Sequence, residues 1–365
     1  MKITVPTIDF GTSKIVTMVA QSNGERCDIV GSGAVPYSGY LQDGWNNPDE
    51  IRDVIRTAID QAQKTGNCRI HELNVGVPGM FTRVIVKEVH VSLTGPDPHV
   101  TAQDVRACFK LAEESGGDRI IHSAPAWFRV DDGKKTLSPV GIKGRELSAM
   151  IALVTADKYF IDDITYRLRD MDIEPREFYS TVAGEATYAL SQDERDKTAM
   201  LIDIGYLCTD VMVMEGDALI FHKCLDIGGG HISADIAEQL NIPFPFVEEK
   251  IKQTYSFNST NQDETYVIPA TEDEPARTVR RDEVTPIIEA KVEEIAEAIN
   301  KALEEGGVKL GKWSNVYLTG GGLILNKGGK DFLAGKLHRI IREAQRTNNC
   351  LLYTSPSPRD RSLSR

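Results

Sequence analysis

The chain has 365 residues, of which 41% are hydrophobic and 26% charged, so it is long enough for a large core and two or more domains. Its formal net charge of -12, with no cluster of Lys and Arg before the last residues, excludes a general nucleic-acid binder. Its six cysteines lack C-x-x-C spacing, which argues against a zinc site or a disulfide framework and favours a reducing cytosol. The sequence shows neither an apolar run of membrane-spanning length nor a signal-peptide core.

The first elements alternate in a recognisable order. Three strands are predicted at "MKITVPTI", "KIVTMVA" and "ERCDIVGSGAV", with turn residues between them. A helix follows at "NNPDEIRDVIRTAIDQAQKTG", where Asn47 can cap, Pro48 suits the first turn and Gly66 ends the helix. Its apolar face consists of Ile51, Val54, Ile55 and Ile59. With a strand at "ELNVGVPG", these elements form a β-β-β-α-β unit.

The second half of the chain repeats this design. Strands are predicted at residues 198–204, 209–214 and 218–226, and a helix opens at Gly228, Gly229 and Gly230. Each half therefore begins with a strand ending in Asp-x-Gly, in "IDFGTSK" and in "LIDIGYLCT". Such a turn exposes backbone N–H groups that bind anions, and Mg²⁺ prefers few carboxylates together with waters and phosphates. We expect the two turns to face each other across a cleft and to hold a polyphosphate with Mg²⁺. One such turn alone is more often only turn chemistry.

A third glycine-rich segment, "SNVYLTGGGLILNKGGKDFLAGKL", is predicted to be a strand, a loop and a helix from about Asp331. Together the three segments resemble, in order and spacing, the two phosphate motifs and the adenosine motif of the superfamily of actin, sugar kinases and heat-shock chaperone ATPases. The phrase "SPVGIKGRELSAMIALVTA" is similar to the strand pair of the extra subdomain in the cell-division family FtsA. The pilus protein PilM shares that subdomain and is the nearest rival. The resemblance covers residues 1 to about 345.

The resemblance implies an α/β, two-lobed actin-like (ribonuclease H-like) fold with repeated β-β-β-α-β units and an FtsA-type extra subdomain. The implied subdomains are 1A (1–82), 1C (83–160), the first part of 2A (161–226), 2B (227–295) and the remainder of 2A (296–349). The end of the chain, residues 350–365, breaks the pattern and is similar to the adapter-like tail of truncated reading frames, the alternative being a disordered native tail.

The resemblance also implies how ATP and Mg²⁺ would be held. Asp9 and Asp203 would orient the waters around Mg²⁺, and Lys14 would add positive charge at the phosphates. Glu249 and Lys252 match an E-x-x-K that would hold the ribose and the adenine edge, although a solvated ion pair is an equal alternative. The implied cofactor-binding residues are Asp9, Gly11, Thr12, Ser13, Lys14, Asp203, Gly205, Thr209, Glu249, Lys252, Gly320, Gly321 and Gly322.

Two departures from the family pattern bear on catalysis. The second phosphate loop is usually D-I-G-G-G-T, whereas here Tyr206, Leu207 and Cys208 replace its last three residues, so Thr209 would have to substitute for the threonine. Superfamily members that hydrolyse ATP well place Glu or Gln where Ser180 stands, with Glu185 more than one turn further on. We therefore expect slow hydrolysis at most and assign no catalytic residue.

In the family, the implied function is that of an ATP-binding, filament-forming adaptor that links the FtsZ ring to the inner face of the cell membrane at the division site. The tether would be a C-terminal amphipathic helix, which this sequence lacks. The C-terminal peptide of FtsZ would bind in 2B at Arg280, Arg281 and Lys291 beside an apolar stripe. That stripe may instead face the core. The alternatives are a PilM-like pilus adaptor and a metabolite kinase, and the kinase lacks a suitable acidic motif between the halves. The stripe residues are Ile287, Ile288, Val292 and Ile295.

Overall fold

The structure is a computed structural model. It describes residues 3–23, 27–41, 44–114, 116–117, 119–261, 263–270, 275–311 and 314–344, so the tail at 350–365 lies outside the described residues. The chain folds into two compact units, one formed by residues up to Ala199 with Met212–His222, the other by Met200–Val211 with Lys223–Ala344. Among the residues described, no helix is both long and apolar enough to cross a bilayer.

The elements alternate along the chain. Up to residue 198 they are β1 (Ile3–Phe10), β2 (Lys14–Ser22), β3 (Cys27–Pro36), β4 (Tyr40–Leu41), β5 (Gly44–Trp45), α1 (Ile51–Gly66), β6 (Glu72–Val77), β7 (Thr82–Ser92), α2 (Ala102–Glu114), β8 (Ile120–Val130), β9 (Glu146–Ala156), α3 (Lys158–Arg169), β10 (Glu174–Ser180), α4 (Thr181–Ala189) and α5 (Gln192–Arg195). They continue with β11 (Ala199–Ile204), β12 (Thr209–Glu215), β13 (Ala218–Leu225), α6 (Gly229–Gln239), α7 (Phe244–Phe246), β14 (Thr265–Ile268), β15 (Arg277–Arg280), α8 (Arg281–Glu305), β16 (Asn315–Thr319), α9 (Gly329–Leu337) and β17 (Ile341–Glu343).

The first sheet has the strand order β10-β6-β1-β2-β3, and α1 packs against it. The predicted strands and the predicted apolar face of α1 are confirmed, since Ile51, Val54, Ile55 and Ile59 are all buried. The helix begins at Ile51 rather than at Pro48, because residues 48–50 form a turn ahead of it. Gly33 lets α1 approach β3 closely, since a Cβ there would lie 2.1 Å from the Ala58 carbonyl oxygen.

The second five-stranded sheet repeats the first. Its order is β13-β12-β11-β16-β17, which corresponds strand for strand to β3-β2-β1-β6-β10 in the first sheet. In both sheets the last pair is parallel, β6 with β10 and β16 with β17. The predicted duplication of the β-β-β-α-β design is therefore confirmed.

The boundary between the halves differs from the prediction. Residues 161–226 were expected to begin the second lobe, but β10 pairs in parallel with β6, with Ser180 opposite Val77, and the first unit extends to Ala199. Parallel strands are joined by long crossover connections, so local sequence patterns do not reveal which strands pair. The prediction was wrong at this boundary for that reason.

A three-stranded antiparallel sheet, β7-β9-β8, occupies residues 82–156. The strand expected after the S-P-V-G-I-K-G phrase is β9, whose residues are almost all buried. Helix α2 packs on one side of this sheet, around Cys108 and Leu147. The turn between β12 and β13 belongs to the same unit, because Ala218 joins a core with Trp127 and Asp217 pairs with Arg195 at 2.6 Å.

In the second unit, α8 is a long helix whose apolar residues point inward. Its predicted stripe is buried, with exposures of 7% for Ile287, 2% for Ile288 and 0% for Val292 and Ile295. The alternative, that the stripe faces the core, is therefore the observed arrangement. Ahead of the helix, β14 and β15 form the expected antiparallel hairpin, with Thr265 opposite Arg280.

Candidate functional site

The first Asp-x-Gly turn lies between β1 and β2. The Gly11 amide donates to the Lys14 carbonyl at 3.1 Å, which closes the turn directly after Asp9. Two tyrosines further along the chain fix the carbonyls at its start. The Tyr37 hydroxyl donates to the Gly11 carbonyl at 2.7 Å, and the buried Tyr40 hydroxyl donates to the Phe10 carbonyl at 3.0 Å.

Asp9 is partly buried beside a glycine of the neighbouring strand. A Cβ at Gly76 would lie 3.4 Å from Asp9 Oδ1 and 2.7 Å from Thr181 Cγ2, so only glycine leaves this space open. Burial raises the pKa of Asp9, while a backbone hydrogen bond at Phe10 and the Lys14 ammonium lower it. A carboxylate that is desolvated in this way is stabilised by a cation. Thr12 is buried in the same turn, and Ser13 and Lys14 are partly buried.

The second Asp-x-Gly turn has the same backbone closure. The Gly205 amide donates to the Cys208 carbonyl at 2.9 Å, directly after Asp203 and Ile204. Here backbone amides rather than tyrosines fix the carbonyls. Gly229 donates to the Gly205 carbonyl at 2.9 Å, and Gly230 donates to the Tyr206 carbonyl at 2.7 Å. These glycines open α6, as the sequence predicted.

The third glycine-rich segment, Gly320 to Gly322, packs on the same turn. The Gly322 amide donates to the Ile204 carbonyl at 2.8 Å, and Gly320 has a φ of +88°. A Cβ at Gly320 would lie 2.1 Å from Asp203 Oδ1, and one at Gly322 would lie 2.4 Å from the Gly205 carbonyl oxygen. The second unit therefore brings together Asp203, the second phosphate turn and the predicted adenosine loop, in which Gly321 lies between its two neighbours.

Two hydroxyl residues of the prediction have defined partners. Thr209 is fully buried, and its hydroxyl donates to the Ile227 carbonyl at 2.7 Å, which ties β12 to the segment before α6. In the first unit, Ser180 is the N-cap of α4, where its hydroxyl accepts from the Ala183 amide at 3.2 Å. Glu185 lies within α4, more than one turn beyond Ser180.

The predicted E-x-x-K pair is rearranged by a π-helical turn at Val247–Lys252. Because a π-helix has more residues per turn than an α-helix, Lys252 meets Glu248 and not Glu249. The Lys252 ammonium is 3.1 Å from Glu248 Oε1, whereas Glu249 is exposed. The expected pairing of Glu249 with Lys252 on one face is therefore wrong.

Lys252 is buried close to the second phosphate turn. Its ammonium lies 5.8 Å from the centre of the Tyr206 ring, and desolvation lowers the pKa of Lys252 while Glu248 raises it. Asn326 joins this lysine to the loop after Gly322, because its side-chain amide donates to the Lys252 carbonyl at 2.6 Å and to the Tyr255 carbonyl at 3.1 Å. Sequence reasoning did not identify Tyr206, Glu248 or Asn326, and only the nearness of Glu248 to the motif could have suggested one of them.

The three residues predicted to bind a partner differ in accessibility. Arg280 is exposed and pairs with Asp282 at 3.0 Å. Arg281 is only 5% exposed, pairs with Glu264 at 3.1 Å and lies over the Tyr255 ring at 4.3 Å. Lys291 contacts Asp235 at 2.9 Å and Glu294 at 2.6 Å. Arg281 and Lys291 thus stabilise the second unit itself.

The donor groups at the two turns fit a magnesium–phosphate group. Each turn carries one carboxylate at the end of a strand and a closed loop of small residues. The first turn adds the Lys14 ammonium, and the second excludes Cβ atoms at Gly320 and Gly322. Few carboxylates beside anion-binding backbone are the environment that Mg²⁺ and phosphates share in proteins.

Comparison with known families agrees with this architecture. The family model "Cell division protein FtsA" matches residues 200–322, and the model "SHS2 domain inserted in FTSA" matches residues 79–155. The second match covers most of the three-stranded sheet, and the first covers both glycine-rich turns of the second unit.

Relatives and solved structures extend the match over most of the chain. FtsA of Pseudomonas aeruginosa is 26% identical over 320 residues, covering 86% of this chain and 76% of the relative. FtsA of Bacillus subtilis is 26% identical, covering 82% and 70%.

Among solved structures, a PilM-PilN type IV pilus biogenesis complex matches with a TM-score of 0.60 at 17% identity, covering 93% of this chain and 87% of that one. MreB5 of Spiroplasma citri bound to AMPPNP matches with a TM-score of 0.55 at 11% identity, covering 93% and 91%. These likenesses show the actin-like fold. The chain belongs to the FtsA family of cell-division proteins.

Proposed function

We propose that the protein binds ATP with Mg²⁺ through its two Asp-x-Gly turns. The observation that carries the proposal is the repeated closure of those turns, Gly11 to Lys14 at 3.1 Å and Gly205 to Cys208 at 2.9 Å, each directly after a strand that ends with an aspartate. Two copies of one turn in corresponding places of a duplicated fold indicate a shared ligand rather than two unrelated loops. MreB5 of Spiroplasma citri, with the same fold, has been solved bound to AMPPNP and to ADP.

Each residue has a defined part in this proposal. Asp9 and Asp203 accept hydrogen bonds from the waters around the metal, and the backbone of Gly11, Thr12 and Ser13 borders the phosphates. The Lys14 ammonium offsets phosphate charge. Bound Mg²⁺ would neutralise charge on the phosphate oxygens.

The second unit supplies the adenosine side. The loop at Gly320–Gly322 offers a surface without side chains, and Lys252 and Tyr206 lie next to the turn it packs on. Glu249 is exposed and available to a ribose, while Glu248 holds Lys252. Thr209 supports the turn through its bond to the Ile227 carbonyl.

Thermal unfolding with ATP and Mg²⁺ tests the proposal. Ligand at about 100 times its dissociation constant should add roughly 2.7 kcal/mol to the stability of the wild type. Asp203→Ala should abolish the shift, whereas Asp28→Ala, on the exposed part of β3, should retain it. An equal shift in Asp203→Ala and wild type would remove the nucleotide from this turn.

We also infer that hydrolysis is slow. Ser180 stands where the superfamily pattern has Glu or Gln, and its hydroxyl caps α4. Loss of a positioned proton acceptor lowers rates by about 10²- to 10⁴-fold. Phosphate release in a single turnover should therefore fall well below the rate of kinases, on the order of 1 per second or more. A rate in that range would contradict the inference.

As a member of the FtsA family, the protein is proposed to polymerise and to link FtsZ to the inner face of the membrane, the membrane contact being made by a C-terminal amphipathic helix. Sedimentation with ATP tests self-assembly. For FtsZ, the exposed Arg280 is the residue of the predicted set best placed to meet an acidic peptide, because Arg281 is buried.

Fluorescence anisotropy with the FtsZ C-terminal peptide tests that site. Arg280→Glu should weaken binding by about 1 kcal/mol, roughly fivefold. The matched control is Lys301→Glu, the same charge reversal at an exposed position near the other end of α8. Equal affinities for the two variants would place the peptide elsewhere.

A further inference from the structure

A cluster of two cysteines and one aspartate lies at the end of the second phosphate turn. Cys208 is the last residue of the turn, Asp210 follows in β12, and Cys224 lies near the end of β13. The two thiol sulfurs and a carboxylate oxygen of Asp210 all lie within 4.8 Å of one another. Cys208 is 7% exposed, and the other two residues are partly buried.

This donor set suits a soft divalent cation. Thiolates and carboxylates both bind Zn²⁺, with Zn–S of about 2.3 Å and Zn–O of about 2.0–2.2 Å, so tetrahedral ligands lie about 3.5–3.8 Å apart. A contraction on the order of 1 Å or less would therefore bring these three atoms to bonding positions. Mg²⁺ and Ca²⁺ take oxygen ligands, so two sulfurs disfavour them.

We propose that Cys208, Asp210 and Cys224 bind a zinc ion, with water as the fourth ligand. Binding releases the two thiol protons to solvent and changes no oxidation state. The carboxylate distinguishes this assignment from a disulfide, since Asp210 would take no part in a sulfur–sulfur bond but completes the ligand set of a cation. The sequence argued against zinc from the absence of C-x-x-C spacing, yet the hairpin of β12 and β13 brings together residues 16 positions apart.

The position of the cluster gives the metal a structural consequence. The Cys208 carbonyl accepts the Gly205 amide that closes the turn, and a Cβ at Gly228 would lie 2.9 Å from the Cys208 nitrogen. A metal held by Cys208 and Cys224 therefore ties the second phosphate turn to the end of β13. Zinc should stiffen this turn whether or not a nucleotide binds there.

Cobalt titration of the chelator-stripped full chain tests the site directly. Co²⁺ bound by two thiolates gives intense sulfur-to-metal charge-transfer absorption, and Zn²⁺ should displace it at one equivalent. Cys208→Thr, which restores the residue of the usual family pattern, and Asp210→Asn should each weaken Zn²⁺ binding at least tenfold. Cys68→Ser, a partly buried cysteine in the first unit, is the matched control and should bind as the wild type does.

Hydrogen exchange gives a second readout that needs no nucleotide. Zn²⁺ should slow exchange of the amides at residues 205–208 in the wild type and in Cys68→Ser, but not in Cys208→Thr. Cobalt bound without charge-transfer absorption would overturn the proposal, as would zinc binding that survives Cys208→Thr in a folded protein. Because ATP is absent from both measurements, their outcome is independent of the proposed nucleotide site.

Discussion

The two Asp-x-Gly turns have the same backbone closure but are held by different groups. In the first, hydroxyls of Tyr37 and Tyr40 donate to the carbonyls of Gly11 and Phe10. In the second, the corresponding carbonyls of Gly205 and Ile204 accept from the backbone amides of Gly229 and Gly322. One unit uses long side chains from a distance, and the other brings three stretches of backbone into contact.

This difference teaches where the sequence is constrained. A turn held by backbone leaves no room for Cβ atoms, so its supporting segments must be glycine. A turn held by tyrosine hydroxyls depends instead on two oxygen atoms, and its own glycine is less crowded. The two turns should therefore fail under different substitutions.

The largest expected effect is that of Gly320→Ala in the second turn's support. Its φ of +88° and a Cβ only 2.1 Å from Asp203 Oδ1 should cost about 3 kcal/mol or more of unfolding free energy. Gly11→Ala in the first turn, where a Cβ would lie 3.2 Å from the Lys14 carbonyl oxygen, should cost about 1 kcal/mol or less.

Urea denaturation measures both variants. Gly335→Ala in α9 is the control, since nothing lies within 4 Å of its Cβ and alanine favours helix by about 0.5–1 kcal/mol. Equal losses for Gly320→Ala and Gly11→Ala would show that the two turns are not supported differently.

Tyr40→Phe tests the support of the first turn. The hydroxyl is buried, and its loss leaves the Phe10 carbonyl without that donor, so we expect a loss of about 1–2 kcal/mol of unfolding free energy. Tyr166→Phe, at a tyrosine that is 72% exposed, should change nothing. A thermal midpoint for Tyr40→Phe equal to that of the wild type would mean that the tyrosine does not hold the turn.

A smaller effect is expected where the turns lead into β2 and β12. Thr209→Val removes the hydroxyl bonded to the Ile227 carbonyl and should cost about 1 kcal/mol. Thr17→Val in β2 is the matched change, because the Thr17 hydroxyl is buried and has no hydrogen-bond partner within the described part of the chain. That substitution should be neutral or stabilising by up to about 1 kcal/mol. Opposite signs in chemical denaturation are the expected result, and a larger loss for Thr17→Val would contradict it.

The smallest effect concerns pH and Lys252. Burial lowers the pKa of Lys252 below its ordinary value of 10.5, so the folded state loses this proton at lower pH than the unfolded state does. Wild type should therefore gain stability relative to Lys252→Met as pH rises through the folded pKa towards 10.5. Glu248 and the Tyr206 ring face this ammonium and are the same in both proteins. Thermal midpoints across the alkaline range measure the difference, and a constant difference would show an unperturbed lysine.

The sequence predicted those parts of the fold that local patterns determine. The strands around each Asp-x-Gly turn, the apolar face of α1 and the glycines that open α6 all follow from alternation, helical spacing or glycine chemistry. It failed where distant segments pair. The parallel contact of β10 with β6 moved the boundary between the halves, because nothing near either strand encodes its partner.

The candidate site shows the same division. Asp9, Asp203 and the glycines could be identified because each motif is continuous in the chain. Tyr37 and Tyr40 could not, since they lie 26 and 30 residues beyond the carbonyls they hold. The cysteine cluster was missed for the same reason, as its ligands belong to two strands of a hairpin.

The π-helical turn at Val247–Lys252 has a consequence for aligning this chain with its relatives. A π-helical turn takes about one residue more than an α-helical turn. Deleting Glu249 alone would leave Glu248 three positions before Lys252, which is the E-x-x-K spacing of an α-helix. An alignment of letters thus assigns the motif's acid to Glu249, while an alignment in space assigns it to Glu248. A one-residue gap at this turn is needed before any family member with an α-helical segment is compared residue by residue with this chain.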